Sequence, residues 1–241
     1  MNFQIDYSLM IRDIDIMLWI IGNVFTLINI IITLRRFFNK KFENSQRISN
    51  LIWSLYFLFM LSANILSILW RRFILEIYGV ELAKLLENIS MIFLNCGWLI
   101  LVGYFDIKRS EKKRPYFFII LIIIFPFSIL INFHLGQIIE ILYFIAVAIG
   151  FSIVPILFIK IARHSEGIIR KNSFRLSGAL ITFGIGLLIQ QQNVEPFVPQ
   201  VIYFFDNVIK FPYLFLSPIL ISISMIIFYI SLFQIYGIIE E

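Results

Sequence analysis

Seven apolar runs, each close to the length of a bilayer crossing, divide this chain, and basic residues gather in every second gap between them. A transmembrane helix needs ~20 predominantly apolar residues, with a range of about 17–25. The runs cover 16–34, 51–70, 88–105, 115–133, 141–159, 176–190 and 212–236. The gap after the first holds Arg35, Arg36, Lys40, Lys41 and Arg47. The gap after the third holds Lys108, Arg109, Lys112, Lys113 and Arg114, and the gap after the fifth Lys160, Arg163, Arg170, Lys171 and Arg175. These three gaps contain 15 of the 20 Lys and Arg, while Arg12, Arg71, Arg72, Lys84 and Lys210 are spread over the others. Such a bias orients helices with the basic loops in the cytoplasm. The expectation is therefore an all-α, polytopic membrane protein with its N-terminus outside and its C-terminus cytoplasmic. It is a seven-transmembrane helix bundle, one domain over residues 1–241, multi-pass in the cell membrane.

Composition excludes the soluble alternative. The chain is 60% hydrophobic and only 15% charged, against about 45–50% apolar and about 25% charged in a soluble domain. One core of this length has no room for that much apolar surface, so the bilayer is the solvent. The net charge of +5 does not indicate nucleic acid, because the bases flank apolar helices. There they set topology and meet anionic lipid at the cytoplasmic face. The one cysteine, Cys96, allows no intramolecular disulfide and reads as a small buried hydrophobe. Asp6, Asp13 and Asp15 outnumber Arg12 before the first run, which is not how a cleavable signal peptide begins. Those residues read as the acidic outer flank of an uncleaved helix.

The run at 176–190 is the weakest of the seven. Its apolar part ends before Gln190, Gln191, Gln192 and Asn193, and it contains Gly178, Gly184 and Gly186. It reads as a tightly packed inner helix with a wet polar cap, or else as a half-spanning segment. Two outer connections are longer than threading needs. Residues 71–87 mix apolar and charged positions at helical spacing, as a helical extension or an interfacial helix does. Residues 190–210 start polar and then present Val201, Ile202, Phe204, Phe205, Val208 and Ile209 around Asp206, a second interfacial piece. Pro126, Pro155 and Pro218 fall inside runs and read as kinks.

The runs are poor in reactive groups. His134 and His164 are the only histidines, and the threading puts them on opposite sides. They share no metal, so bis-histidine haem and a zinc hydrolase site are excluded. A serine nucleophile lacks a nearby base, and no buried carboxylate or lysine marks an ion-coupled pump. No catalytic set, metal site or cofactor is expected, and hence no enzyme. What the runs hold is amide and hydroxyl. Asn23, Asn64 and Asn95 each lie some 6–9 residues from the outer end of their run, a shared depth of about 9–14 Å. Ser217 is at similar depth and Gln190 near the rim. These five read either as an outward-facing polar pocket or as interhelical hydrogen bonds, worth ~0.6 kcal/mol per pair. The fourth and fifth runs, nearly free of polar residues, are expected to face lipid. Asp106, beside Lys108 and Arg109, reads as an interfacial ion pair.

The stretch 170–187, R-K-N-S-F-R-L-S-G-A-L-I-T-F-G-I-G-L, leads a basic loop into a glycine-bearing helix. With seven aromatic-rich spans and short loops, the chain looks like the seven-transmembrane N-terminal sensory region of microbial sensor histidine kinases. The resemblance implies a sensory module. That family continues into cytoplasmic signalling domains, whereas this sequence ends at Glu240 and Glu241, soon after the last run. Output is therefore expected through a separate cytoplasmic or membrane protein partner docking on the basic loops. The other expectation is a small transporter or channel for a neutral or weakly polar solute, which requires a continuous polar path through the spans.

Overall fold

A computed structural model of the chain describes residues 7–69, 78–109, 119, 122–123, 152–189 and 199–237. Among the described residues there is helix and no strand. Helix α1 is Tyr7–Phe38, α2 is Asn44–Leu69 and α3 is Val80–Arg109. Helix α4 covers 152–163 and α5 is Gly167–Leu188. A short α6, Pro199–Tyr203, runs into π-helical Phe204–Ile209. A 3₁₀ turn, Tyr213–Phe215, then opens α7, Leu216–Gly237.

Among the described residues, four stretches are long and apolar enough to cross a membrane: Met10–Phe38, Asn44–Leu69, Glu81–Ile107 and Tyr213–Leu232. They contain the runs expected at 16–34 and 88–105 and overlap most of those at 51–70 and 212–236. Apart from residues 119, 122 and 123, the run at 115–133 lies outside the described residues, as does 141–151 of the next. Helix α5 begins nine residues before the run at 176–190, at Gly167, and has 22 residues. Its length is thus about 33 Å against a hydrocarbon thickness of ~30 Å. The extra residues include Asn172 and Ser173, both buried. Hydropathy discards such residues, although burial in the bundle keeps them helical.

Hydrogen bonds between helices fix their directions. Ser222 Oγ donates to the Leu18 carbonyl at 3.3 Å, Asn29 Nδ2 to that of Met225 at 3.0 Å, and Arg36 to that of Leu232 at 2.7 Å. Both sets of numbers rise together, so α1 and α7 run parallel. Arg47 Nε donates to the Phe37 carbonyl at 2.8 Å across the α1–α2 turn. Ser90 Oγ donates to the Ala63 carbonyl at 2.8 Å, and Gly97 faces Met60 and Tyr56, which makes α3 antiparallel to α2. Ser177 reaches the Pro155 carbonyl at 3.1 Å and Ser224 that of Ala179 at 2.8 Å, tying α5 to α4 and to α7. Helices α1, α3, α4 and α7 therefore run towards one end, where α2 and α5 begin. Arg35, Arg36, Arg47, Arg109, Arg163, Arg170 and Lys171 are all at that end, called here the basic end.

Polarity is turned inward. In α1 the buried positions Asp15, Trp19, Gly22, Thr26, Asn29, Thr33 and Arg36 are spaced alternately by four and three residues, with Ile30 buried beside them. Such spacing is one face of a helix. The exposed face carries Met17, Ile20, Ile21, Val24, Leu27 and Ile31. A water-soluble helix has the reverse arrangement, and apolar solvent explains this one. Thr26 and Thr33 bond back to the carbonyls of Gly22 and Asn29, at 2.8 and 2.7 Å, so neither hydroxyl is stranded.

The core centres on aromatic rings in the basic half of the bundle. Trp53 of α2 has its ring centroid 5.5 Å from Phe228 of α7, 6.2 Å from Phe158 of α4 and 6.2 Å from Phe105 of α3. Phe57 lies 5.2 Å from Phe228, and Tyr56 reaches Trp98 of α3 at 5.6 Å and Phe183 of α5 at 6.4 Å. Rings from five helices thus meet in one cluster, each pair adding ~0.5–1.5 kcal/mol beyond its area. Through Phe158, α4 takes part in this core, which departs from the expectation that the fifth run only faces lipid.

Candidate functional site

At the end opposite the basic loops, residues 199–215 fold back against the start of α7. The Asp206 carboxylate accepts the Tyr213 backbone N–H at 2.6 Å. A helix start presents unpaired N–H groups and positive potential, so a carboxylate there is well placed. Lys210 turns the chain with φ 60°, Phe211 N–H bonds the Phe205 carbonyl at 3.0 Å, and the Phe205 and Tyr213 rings lie 5.8 Å apart. Tyr203, Phe204, Val208 and Ile209 stay exposed.

Beneath this cap the interior is polar. Asp15, Asn64, Ser67, Ser90, Tyr213 and Ser217 are all buried, and they come from α1, α2, α3 and the α7 entrance. Several of their atoms, and two from neighbouring amides, have no hydrogen-bond partner within the protein: Asn64 Nδ2, the Tyr213 hydroxyl, Ser217 Oγ, Asn23 Oδ1 and Asn88 Oδ1. Buried polar groups are nearly always bonded, and each that is not costs ~1–3 kcal/mol. The basic half holds such atoms too: Asn29 Oδ1, Asn50 Oδ1, Asn172 Nδ2 and the Tyr56 hydroxyl have no partner within the protein. The other amide atom of each asparagine is bonded, to Met225, to Gln46 and to Arg175 respectively.

No protein-family model, curated protein or solved structure matches the chain. The chemistry of the site has therefore to be read from its own atoms. It offers amide and hydroxyl donors and acceptors at the capped end. Among the described residues no group of three or more His, Cys, Asp or Glu is placed to hold a metal ion.

The five polar residues singled out by depth have different surroundings. Asn64 and Ser217 are buried, 4% exposed each. Asn23 is half-buried, one residue off the inward stripe of α1. Asn95 is half-buried and donates to the Met91 carbonyl of its own helix at 2.9 Å. It lies five residues, or about 8 Å along α3, nearer the basic end than Ser90, which bonds beside Asn64. Gln190 lies outside the described residues. Asp15, placed by charge pattern in an acidic flank, is wholly buried instead. Asn29, Asn50 and Asn172 are also buried and were not singled out. The four-and-three spacing from Asp15 to Arg36 was the available signal.

The basic anchors divide as well. Arg35 is exposed and Arg36 is buried against α7. Arg170 and Lys171 are exposed in the first turns of α5, where a helix N-terminus disfavours positive charge. Their placement gives the helix no dipole stabilisation, in keeping with a topological role. Lys108 and Arg109 end α3, and Asp106 just before them is buried. Lys112, Lys113 and Arg114 lie outside the described residues.

Ser217 gives a direct test of the capped-end interior. Ser217→Ala removes a buried hydroxyl that has no partner and leaves a methyl of similar size. Stability in detergent is expected to rise by ~1 kcal/mol, read as a shift in the unfolding midpoint. A loss of similar size instead shows that the hydroxyl is bonded in the folded protein.

Proposed function

We propose that the chain is a receptor-like or sensory seven-helix module of the cell membrane. Its N-terminus lies outside, and it signals through a separate protein partner at its cytoplasmic, basic end. The proposed ligand is neutral and hydrogen-bonding, held at the capped end by Asn64, Tyr213 and Ser217. The observation that carries this reading is the ring cluster around Trp53, where five helices meet in the basic half. Buried amide and hydroxyl atoms without partners lie below the cap as well as in the basic half. A transporter or channel for a polar solute needs polar groups along its whole path, and the close packing of rings around Trp53 counts against one. The orientation is supported by the three groups of basic residues, whose described members share one end of the bundle. The likeness to the sensory region of microbial histidine kinases agrees with this division of labour.

The test uses the full chain in proteoliposomes, with efflux of glycerol, urea and a neutral sugar measured against protein-free vesicles. In parallel, crosslinkers reactive towards lysine are applied in native membranes. No efflux, together with a protein crosslinked to the 35–47 or 160–175 loops, is the expected outcome. Efflux of any of these solutes, or crosslinks to lipid alone, overturns the proposal.

A further inference from the structure

The end of α6 and the π-helical turn after it carry apolar side chains that the bundle does not use. Tyr203, Phe204, Val208 and Ile209 are exposed, and no residue of Phe204–Ile209 is buried. A segment lying across the top of the bundle would bury one face on it, so this one stands out from it. Residues five apart are neighbours on a π-helical turn. Tyr203 therefore pairs with Val208, and Phe204 with Ile209, on one side. Phe205 and Asp206 are turned the other way: the Phe205 ring lies 5.8 Å from that of Tyr213, and the Asp206 carboxylate accepts the Tyr213 N–H. The four apolar side chains thus form an outward surface.

The span that follows sets the depth of this surface. The apolar stretch Tyr213–Leu232 has 20 residues, about 30 Å of helix, which matches the ~30 Å hydrocarbon thickness. Tyr213 then stands at the edge of the hydrocarbon. The bonds from Tyr213 N–H to Asp206, at 2.6 Å, and from Phe211 N–H to the Phe205 carbonyl, at 3.0 Å, hold the π-helical turn at that level. Water is a poor solvent for four neighbouring apolar side chains. The headgroup layer that surrounds α7 at this depth accepts them, and Tyr203 suits it with an apolar ring and a wet hydroxyl. Asp206 and Lys210 are the charged residues of 199–210 and offset each other, so headgroup charge adds little. We infer that residues 203–209 are an interfacial anchor. It inserts Tyr203, Phe204, Val208 and Ile209 into the headgroup–acyl boundary of the leaflet at the end opposite the basic loops. Its partner is the lipid surface, bound by apolar contact rather than by charge. The anchor is independent of the proposed ligand and signalling partner, so either can fail without the other.

The test uses the full chain in phosphatidylcholine vesicles, with Cys96→Ser as the background and a nitroxide attached at Phe204→Cys or Val208→Cys. Collisions with oxygen, which concentrates among acyl chains, are compared with collisions with a water-soluble nickel chelate. Val24→Cys, on the exposed face of α1 in mid-span, is the lipid reference. Glu166→Cys, exposed in the turn between α4 and α5, is the water reference. The oxygen-to-nickel ratio at 204 and 208 is expected to shift from the value at 166 towards that at 24. Both positions are exposed, and one alone decides the outcome if the other variant fails to fold. A ratio equal to that at 166 puts the surface in water and overturns the inference. So does protection from both reagents, which would give the surface to a protein, and so does a shift that appears only when phosphatidylglycerol is added.

Discussion

Truncation of Trp53 to alanine is expected to cost about 3–5 kcal/mol, the largest effect of any single substitution in the described bundle. The reason is geometric. The Trp53 ring contacts Phe57, Phe105, Phe158 and Phe228, so its removal opens a void bordered by four helices. In lipid there is no hydrophobic drive between helices, and close packing carries the association. A void at the meeting point of the helices is therefore costly even though water need not enter it. The measurement is the unfolding midpoint in mixed micelles as denaturing detergent is increased. Trp53→Phe keeps part of the contact surface and should lose less than half as much. The double variant with Phe228→Ala should fall short of the sum of the singles, because the two rings share one cavity. A loss below ~1 kcal/mol for Trp53→Ala would show that the cluster is not packed as described.

Gly186→Leu is the second large effect, with an expected loss of ~1–3 kcal/mol or more. A Cβ at 186 would lie 3.1 Å from Ile221 Cγ1, 3.3 Å from Leu220 Cβ and 3.4 Å from the Ser217 carbonyl oxygen. The last two belong to the stem and backbone of α7, which cannot swing aside, so α5 and α7 must separate. Gly178 of the same helix is the control. A Cβ there meets nothing within 4 Å. Gly178→Ala should stabilise the helix by about 0.4–1 kcal/mol, because the unfolded chain loses freedom and nothing clashes. Opposite signs at two glycines of one helix separate close packing from helix propensity. The same midpoint assay reads both, and equal signs would refute the close α5–α7 approach.

Much of the fold was legible in the sequence because apolar length and charge bias are summed over many residues. The runs at 16–34, 51–70, 88–105 and 212–236 coincide with helices, and the described members of the basic gaps lie at one end. The boundaries were less legible. Helix α5 starts at Gly167 because Asn172 and Ser173 point into the bundle, and a hydropathy window treats an inward polar residue as a break. The candidate site was legible only in part. Asn64 and Ser217 were reached by counting depth, but depth does not say which face of the helix a residue occupies. Asn95 shares their residue type and is occupied by its own helix. Asp15 was missed because a carboxylate near a chain terminus looks like a flank, yet its spacing to Trp19 and Gly22 puts it on the inward stripe. The cap also needed three dimensions. Nothing in the run from Asp206 to Tyr213 announces that a carboxylate seven residues upstream receives the first N–H of the final span.

The parallel pairing of α1 with α7 has a consequence for assembly during synthesis. Asn29 and Arg36 find their carbonyl partners 196 residues later in the chain. At ~5–20 residues per second, the ribosome takes about 10–40 s to supply them. During that interval the inward stripe of the first helix has inserted without its mate, with Arg36 already in the membrane boundary and Asn29 deeper still. Until α7 emerges, these two side chains lack the α7 carbonyls that they bond in the folded protein. The α1–α7 pairing therefore forms only after all the helices between them have been made.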